Sequence, residues 1–516
     1  MNFKVLILAC FVFGVESYKV LVVAPTPFRS LSVLSEATVK HLVAAGHDVT
    51  FVTAFPRDTQ KKYRQVDVSD NMLALGGDDG SMSIAWMLEN PNLMNDIRYL
   101  QDVAYIIANA TFQNKNFLKI LQNPKEQFDV VVSELYETEL YAALAPLYSC
   151  PLVWSYSMGA HWMALRLVSE ATSPTYAADY LSPEIPPFDF HGRLYKLWLQ
   201  IQWSYIKWSQ TMPKERAAYD KLLRPLFETR GKIPPIYDDI IYNGSLILAN
   251  DYKGNGLMPS TPQNFQFIGG YHVETPPKPL PEDIQTILDN AKHGFIYFSM
   301  GSIWQSKDIP TVITNGLLRV FSEIKQTVVW KYEDTLPNLP KNVHTLKWAP
   351  QPSILAHPKC LFFITHGGHL SSIETIHFGV PTIGVPIFFD QFININKALS
   401  LGYALKVDLT YNLPEDLKTA IGIMLENSTF KEKAMELSQI YHDRVVPPGK
   451  ELVHWVEHVV KTRGAPHLRS PALLLPWYQK AYLDLAAIIT CVISILFVIF
   501  ILLFTSRKVS MEKKRN

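Results

Sequence analysis

The sequence predicts a two-domain α/β protein, each domain built on a doubly wound parallel sheet, followed by one membrane-spanning helix near the carboxyl terminus. A chain of 516 residues is too long for a single hydrophobic core. Buried-strand patterns open both halves, and an apolar run without charges lies near the end. The 48% hydrophobic content excludes a largely disordered chain, and the net charge of +1 gives no argument for a nucleic-acid partner.

The first half opens with a strand–helix–strand pattern. Residues 18–24 form an apolar run typical of a buried parallel strand, a helical pattern follows over 30–45, and residues 49–52 form the next strand. A further strand is predicted at 128–132. Residues 157–234 are rich in aromatic residues and prolines without a clear period, so they suit either a variable binding surface or ordinary loops and short helices.

A second α/β block begins at a strand predicted over residues 295–299. The proline-rich segment 275–281 ahead of it is the best candidate for a linker. The predicted limits are 18–275 for the amino-terminal domain, 283–460 for the carboxyl-terminal domain and 461–484 for a juxtamembrane segment. Two open parallel sheets that face each other across a cleft place both carboxyl edges on a shared ligand.

Residues 1–17 have the anatomy of a signal peptide. Lys4 precedes an apolar run over 5–15, and Val15 and Ser17 stand at the −3 and −1 positions of a cleavage site. The alternative is that this run is itself a first buried strand. In the secretory pathway three sequons become candidate glycan sites, at Asn109, Asn243 and Asn427.

Residues 485–505 carry no charged residue. At about 1.5 Å per residue, a helix of this length spans about 30 Å, the thickness of a bilayer core. The basic tail at 506–516 places that end in the cytosol, which predicts a type I single-pass protein with lumenal domains. Lys513 and Lys514 resemble the dilysine retrieval signal of endoplasmic-reticulum proteins, and the alternative is a generic stop-transfer cluster.

The most specific pattern in the chain is a predicted strand that runs into a glycine turn and a helix. The turn consists of His366, Gly367 and Gly368. It exposes backbone N–H groups at the positive end of the helix dipole, an arrangement that suits a diphosphate. Ser371 and Glu374 are three residues apart and therefore share one helix face. A carboxylate in that position can accept hydrogen bonds from both hydroxyls of a ribose.

Residues on either side of the turn extend this pattern. Trp348 offers a flat face for a base. Asp390 and Gln391, at the end of the next strand, can hold sugar hydroxyls. The whole segment therefore predicts a site for a nucleotide-sugar.

This segment resembles the signature of the UDP-glycosyltransferases, specifically their membrane-anchored animal branch. Gly301 and Ser302 after a strand, and residues 464–469 after a helix, agree with that family over nearly the whole chain. The resemblance implies two Rossmann-like domains that face each other across a cleft, the GT-B fold, with the donor bound by the carboxyl-terminal domain and the acceptor by the amino-terminal one. It also implies inversion at the anomeric carbon without a metal or any other cofactor, the UDP-sugar being a co-substrate.

The same resemblance implies a role for each motif residue. Trp348 stacks on uracil, Gln351 contacts the edge of that base, and Glu374 holds the ribose. Seven further residues bind the diphosphate (Ser302, His366, Gly367, Gly368 and Ser371) and the sugar (Asp390 and Gln391). Leu370 departs from the family, because many relatives have asparagine there for a diphosphate contact.

The acceptor half departs from the family at the catalytic base. The family places a histidine directly after the serine of the first strand–helix turn, whereas Leu31 follows Ser30 here. The next histidine, His41, lies about 15 Å along the helix by helical rise and cannot substitute. The family's partner acid corresponds to Glu134, with Glu139 a second carboxylate just beyond it.

A positioned base supplies about 10²–10⁴-fold in rate, so its loss should cripple transfer to alcohols while sparing acceptors that ionise readily. Glu134 could also act directly. One hypothesis is an inverting UDP-glycosyltransferase that conjugates a hexose to a small lipophilic acceptor in detoxification; its arthropod-like sequence favours glucose over glucuronate. The other is a catalytically silent UDP-sugar-binding membrane protein that regulates active relatives, as a homo- or heterodimer. Both place the protein in the endoplasmic-reticulum membrane.

Overall fold

The structure, a computed structural model, describes residues 17–58, 63–75, 96–170, 173–254, 259–301 and 309–513, with side chains as far as Arg507. The predicted signal peptide lies outside the described residues except for Ser17, and Ser302 and Lys514 also lie outside them.

The first half of the chain forms a sheet of seven parallel strands in the order β3-β2-β1-β4-β5-β6-β7. Residues 20–23 of the central strand are fully buried, because helices cover both faces of a parallel sheet. The strands are β1 (Lys19–Ala24), β2 (Asp48–Thr53), β3 (Arg64–Asp67), β4 (Val130–Glu134), β5 (Leu152–Tyr156), β6 (Gly244–Ala249) and β7 (Phe265–Phe267).

Ten α-helices accompany these strands within the described residues. They are α1 (Arg29–Ala44), α2 (Asn71–Ala74), α3 (Ile97–Gln113), α4 (Lys115–Gln122), α5 (Leu144–Tyr148), α6 (Trp162–Leu165), α7 (Phe190–Ile206), α8 (Met212–Ala218), α9 (Arg224–Thr229) and α10 (Tyr237–Ile240). A 3₁₀ turn at Leu140–Ala143 and π-helical turns at Lys207–Thr211 and Tyr219–Leu223 complete this half.

The second half forms a sheet of six parallel strands in the order β10-β9-β8-β11-β12-β13. The strands are β8 (Phe295–Ser299), β9 (Thr327–Lys331), β10 (Val343–Leu346), β11 (Cys360–Thr365), β12 (Thr382–Gly384) and β13 (Ala404–Lys406). The helices are α11 (Glu282–Asp289), α12 (Thr311–Ser322), α13 (Gln351–Leu355), α14 (His369–Phe378), α15 (Asp390–Ser400), α16 (Leu413–Glu426), α17 (Thr429–His442), α18 (Pro448–Lys461), α19 (Trp477–Lys480) and α20 (Leu483–Lys513).

Both sheets have the strand order of a doubly wound fold, which confirms the predicted fold class. In the first sheet the winding reverses between β1 and β4, and in the second it reverses between β8 and β11. Ligands of such sheets bind outside the carboxyl ends of the strands at these switch points. The topology therefore predicts ligand sites at the residues that follow these four strands.

Helix α18 packs back onto the first sheet, although it follows the second sheet in sequence. Its Leu452, Val456 and Val459 enter a buried cluster that also holds Leu34 and Val39 of α1. The start and the end of the globular chain thus share one core, and α18 ties the second half of the molecule to the first.

Helix α20 has the length and composition needed to cross a membrane from Leu483 to Arg507, and the rest of the described protein buries none of it. Among the described residues it is the one helix that meets this condition. Its position agrees with the span predicted at 485–505.

The aromatic-rich residues 157–234 contain a long helix that the sequence did not suggest. Helix α7 has 17 residues and continues into the π-helical turn at Lys207–Thr211. Apolar side chains lie on two opposite faces of α7, so its sequence lacks the single apolar stripe by which an amphipathic helix is recognised.

A buried ion network holds the segment that follows β4. Lys207 Nζ lies 2.6 Å from Glu139 Oε2 and 3.0 Å from Glu215 Oε1, and Arg166 also pairs with Glu139. Burial alone would raise the pKa of Glu139, but Lys207 and Arg166 overcome this effect and hold the pKa below its usual value. Glu139 therefore has a structural role and is not free to act as a base.

Replacing Lys207 with alanine should lower the free energy of unfolding by about 3–5 kcal/mol, because two carboxylates would remain buried without their shared cation. The measurement is chemical or thermal unfolding of the purified protein in detergent. Lys214→Ala is the matched control, since Lys214 forms an exposed pair with Asp102 and should cost at most about 1 kcal/mol. Equal losses in the two variants would contradict a structural role for the network.

Candidate functional site

The switch point of the second sheet is formed by two turns in close contact. Gly301 follows β8 with a φ of 78°, and a Cβ on it would lie 2.5 Å from Cε1 of His366, which follows β11. Gly367 has a φ of 82°, and a Cβ there would lie 2.5 Å from Ile395. Glycine is therefore required on both turns, and the imidazole of His366 fills the space beside the Gly301 backbone.

His366 is electrically neutral in this position. Burial, with a smaller contribution from the charge of Lys331, lowers the pKa of His366 to about 4. Its Nδ1 is buried without a hydrogen-bond partner among the described residues. Lys331, at the end of β9, donates from Nζ to the carbonyl oxygen of Gly301 at 2.8 Å. The site thus combines a neutral imidazole, a lysine and the amino terminus of α14, a set of donors that suits a diphosphate.

Ser371, Glu374 and Gln351 form one hydrogen-bonded group on α13 and α14. Gln351 Nε2 donates to Ser371 Oγ at 2.9 Å and to Glu374 Oε2 at 2.5 Å. The hydroxyl of Tyr297 donates to Gln351 Oε1 at 3.3 Å. The structure therefore brings together the three residues that the resemblance assigns to diphosphate, ribose and base.

His272, in the segment after β7, reaches this group from the first half of the chain. Its Nε2 lies 3.5 Å from Glu374 Oε1, and neither ring nitrogen has a hydrogen-bond partner among the described residues. The imidazole of His272 thus lies beside Glu374 without a hydrogen bond between them, and it forms part of the buried wall around that carboxylate. The sequence analysis missed His272 because it precedes the proline-rich linker, far from the motif.

The two residues assigned to the sugar stand at the start of α15, close to the glycine turn. Asn394 Nδ2 bridges Asp390 Oδ2 at 2.7 Å and the carbonyl oxygen of Gly367 at 2.9 Å. Burial raises the pKa of Asp390, against the opposing effects of His369 and Asn394. Gln391 Oε1 accepts from two backbone N–H groups of the preceding loop, so its amide nitrogen is the part that can meet a sugar.

Trp348 presents its ring to the cleft and is 62% exposed. The guanidinium of Arg29, at the start of α1, lies 5.8 Å from the centre of that ring and 5.0 Å from the ring of Phe55. A base that stacks on the same face of Trp348 must displace Arg29. This contact shows that the start of α1 faces Trp348 of the second domain.

The switch point of the first sheet holds a small cavity. Leu31 and Glu134 both line it, and its walls come from the ends of β1, β4 and β5 and the first turns of α1. His41 lies on a later turn of α1, where Nε2 bonds to the carbonyl oxygen of Tyr271 at 2.8 Å. The structure thus places Leu31 beside the predicted partner acid, with His41 engaged elsewhere.

The carboxyl group of Glu134 is buried, with Thr26 as its polar neighbour. Burial raises its pKa to about 7, and only the nearby Thr26 opposes the shift. A carboxylate with a pKa near 7 is matched to proton transfer at physiological pH. Glu134 is therefore chemically able to serve as a base in this cavity.

All but one of the sequence-predicted site residues fall at the two switch points or across the cleft between them; Ser302 lies outside the described residues. Three residues that sequence reasoning missed are His272, Lys331 and Asn394. Lys331 could have been predicted, because it stands at the carboxyl end of a strand and ligands of such sheets bind at that edge. No comparable signal existed for the other two.

Solved structures share this fold across most of the chain. The calicheamicin glycosyltransferase CalG4 superposes with a TM-score of 0.56 at 17% identity, over 87% of this chain and all of that one. The glycosyltransferase VinC, solved with DTDP, superposes with a TM-score of 0.55 at 15% identity, over 86% of this chain and all of that one. These likenesses show the two-domain glycosyltransferase fold.

Sequence relatives extend the comparison. UDP-glucosyltransferase 2 of Dactylopius coccus is 29% identical over 498 residues, 94% of this chain and 92% of that protein. UDP-glucuronosyltransferase 2B1 of Rattus norvegicus is 32% identical over 428 residues, 80% of this chain and 77% of that protein. The family model for UDP-glucoronosyl and UDP-glucosyl transferase matches residues 19–516. The chain therefore belongs to the UDP-glucuronosyl and UDP-glucosyl transferase family.

Proposed function

We propose that this protein is an inverting UDP-glycosyltransferase that transfers a hexose, glucose by preference, to a small lipophilic acceptor, with Glu134 as the base. The observation that carries the proposal is the cavity at the first switch point, which brings Leu31 and Glu134 together. Family membership supports the UDP-sugar donor. The name of the Dactylopius relative supports glucose.

The donor half would act by binding and by stabilising charge. Trp348 stacks on the uracil, Glu374 accepts from the ribose hydroxyls, and Asp390 with Gln391 orients the sugar. As the bond between the anomeric carbon and the diphosphate breaks, negative charge grows on the departing UDP. The amino terminus of α14, the neutral His366 and Lys331 stabilise that charge, so the proposal needs no metal ion.

The acceptor half would supply orientation and proton removal. An acceptor hydroxyl or carboxyl oxygen in the cavity attacks the anomeric carbon from the face opposite the diphosphate, which inverts the configuration. The proton of a hydroxyl acceptor passes to the Glu134 carboxylate. An acidic acceptor arrives already ionised and needs Glu134 less. The apolar wall formed by Leu31 and Leu34 suits a lipophilic acceptor.

We also propose a place in the endoplasmic-reticulum membrane with type I topology. The apolar helix α20 and the basic tail behind it support a membrane anchor with a cytosolic end. The signal-like start of the chain and the lysines at 513 and 514 support this compartment.

A second candidate function is a silent UDP-sugar-binding partner of active relatives. Leu31 is the observation that favours it, because the family's general base is absent while the donor group of Gln351, Ser371 and Glu374 is complete. The two candidates differ in turnover and agree in donor binding, which makes them separable in one assay.

Incubation of the purified protein with UDP-glucose and a panel of phenols, carboxylic acids and alcohols should give product with phenols. With weakly acidic phenols the rate should rise about tenfold from pH 6 to pH 8, because the ionised fraction of a carboxyl with a pKa of about 7 rises by that factor. Mass spectrometry measures the conjugates.

Glu134→Gln is the control in this assay, because glutamine resembles the protonated carboxyl that the buried site favours below pH 7. The variant should keep UDP binding and lose both the rate and its rise with pH. UDP binding without product from any acceptor class, in the wild-type protein, would contradict the enzyme and support the silent partner.

Replacing Leu31 with histidine should raise the rate of transfer to alcohols by about 10²–10³-fold, because the imidazole would enter the cavity beside Glu134, which can orient it. Initial rates with a primary alcohol acceptor provide the measurement. Leu31→Gln is the matched control, since glutamine brings a polar group of similar size that cannot act as a base. An equal response of the two variants would argue against this placement of the base.

Replacing Glu374 with alanine should weaken UDP binding at least about tenfold, because the ribose loses a charged hydrogen-bond acceptor and Gln351 loses a partner. Isothermal titration calorimetry with UDP is the measurement. Glu426→Ala, at the exposed end of α16, should bind UDP as the wild type does. Unchanged affinity for UDP in Glu374→Ala would contradict the placement of the ribose at Glu374.

A further inference from the structure

The three candidate glycan sites have no part in the proposed reaction, and they differ in their structural surroundings. The sequons begin at Asn109, Asn243 and Asn427. In each sequon the asparagine amide takes the sugar, and the hydroxyl of the residue two positions further on has to be presented with it. A bulky oligosaccharide also needs a surface position in the folded chain. The exposure of the asparagine and of the hydroxyl therefore distinguishes the three sites.

The sequon at Asn109 lies inside helix α3. Its hydroxyl residue, Thr111, is fully buried. The Thr111 hydroxyl donates to the carbonyl oxygen of Ile107 at 2.7 Å and accepts from Asn71 Nδ2 at 2.8 Å. The core of the first domain therefore holds the hydroxyl that this sequon would have to present.

The sequon at Asn243 lies between α10 and β6. Asn243 is exposed, but its hydroxyl residue, Ser245, lies within β6 and is buried. Arg469 Nη2 donates to the carbonyl oxygen of Tyr242 at 3.2 Å and to Asn243 Oδ1 at 3.3 Å. The side chain of Asn243 is therefore in contact with the segment that leads to α20, and its hydroxyl partner is out of reach in the sheet.

The sequon at Asn427 forms the turn between α16 and α17, and all three of its residues are exposed. The backbone of Asn427 is extended, with a φ of −119° and a ψ of 105°. Asn427 Oδ1 accepts from the backbone N–H of Thr429 at 3.0 Å and from the Thr429 hydroxyl. Both hydrogen bonds use the carbonyl oxygen and not the amide nitrogen, which is the atom that takes the sugar. The turn thus presents the amide and the hydroxyl together at the surface.

This turn lies at the edge of the second sheet opposite the candidate site. Helix α16 begins at Leu413, shortly after the carboxyl end of β13, and its Leu417, Ile421 and Met424 pack onto the sheet. A helix in this position runs back along the sheet, and its 14 residues span about 21 Å at about 1.5 Å per residue. Asn427, directly after this helix, is therefore remote from the carboxyl ends of the strands, where the ligand binds.

We propose that Asn427 carries an N-linked oligosaccharide and that Asn109 and Asn243 remain unmodified. The proposal rests on the lumenal topology proposed above. Asn427 Nδ2 forms a bond to the anomeric carbon of a lipid-linked oligosaccharide diphosphate. The bond between that carbon and the diphosphate oxygen breaks, the diphosphate leaves with the electron pair, and the amide loses one proton. The oligosaccharide shields the exposed Ile423 and Leu425 near the end of α16 and leaves the candidate site open.

The test uses the full chain expressed in animal cells. Membranes are treated with a peptide N-glycosidase in heavy-oxygen water, which converts each glycosylated asparagine into a labelled aspartate. Mass spectrometry then gives the occupancy of the three sequons. We expect the occupancy of Asn427 to exceed that of Asn109 and of Asn243 by at least about tenfold. Modification of Asn109 or Asn243 with Asn427 unmodified would overturn the proposal.

Electrophoretic mobility before and after the glycosidase provides a second measurement. Asn427→Gln and Thr429→Ala should both abolish the shift in mobility, whereas Thr429→Ser keeps the sequon and should retain it. The matched controls Asn109→Gln and Asn243→Gln should leave the shift unchanged. Asn427→Gln should bind UDP as the wild type does, because the turn is remote from the candidate site. A shift that persists in Asn427→Gln would contradict the assignment of the glycan to this residue.

Protease treatment of sealed membrane vesicles from the same cells separates a failure of this proposal from a failure of the proposed topology. A lumenal body is protected from the protease, and only the tail behind α20 is cut. A protected body without any glycan would overturn the assignment of Asn427 alone. A digested body without a glycan would overturn the lumenal topology and this proposal with it.

Discussion

The candidate site of the second domain depends on the close approach of two backbone turns, which follow the neighbouring parallel strands β8 and β11. Gly301 leaves no room for a Cβ, so the imidazole of His366 occupies the space beside it. The burial that results keeps His366 neutral at physiological pH. The positive groups at this site are then the amino terminus of α14 and Lys331, which donates to the Gly301 carbonyl oxygen and also pairs with Glu333. The chemistry of the site thus follows from a packing constraint in the backbone.

Sequence reasoning located the elements whose burial leaves a signature. The strand predicted at 295–299 is β8, because an uninterrupted apolar run bounded by polar residues has few other structural solutions. Contacts across the cleft left no such signature: Arg29 over Trp348 and His272 beside Glu374 join residues far apart in the chain. Helix α7 was not predicted for a different reason. Its apolar residues lie on two faces, so the sequence lacks the 3.6-residue hydrophobic periodicity by which an amphipathic helix is identified.

In the proposed mechanism, Leu31 stands where the family resemblance implies a histidine, and it has two opposite effects in the cavity at the first switch point. Leucine offers no imidazole to pair with Glu134, and it also offers no polar group that would keep the carboxylate ionised. Burial raises the pKa of Glu134 to about 7. The position that lacks one base would therefore favour the conditions under which a carboxylate can act as another.

Leu370 has a structural role at a position where the resemblance implies a binding role. The resemblance implies an asparagine there for a diphosphate contact, whereas Leu370 packs against the buried cluster shared by β1, α1 and α18. Its neighbour His369 donates to the carbonyl oxygen of Asn250, at the end of the first domain's β6, at 2.6 Å. The start of α14 is thus held to the first domain by two neighbouring residues. A movement of the first domain would therefore reach the turn at residues 366–368, because α14 begins directly after that turn.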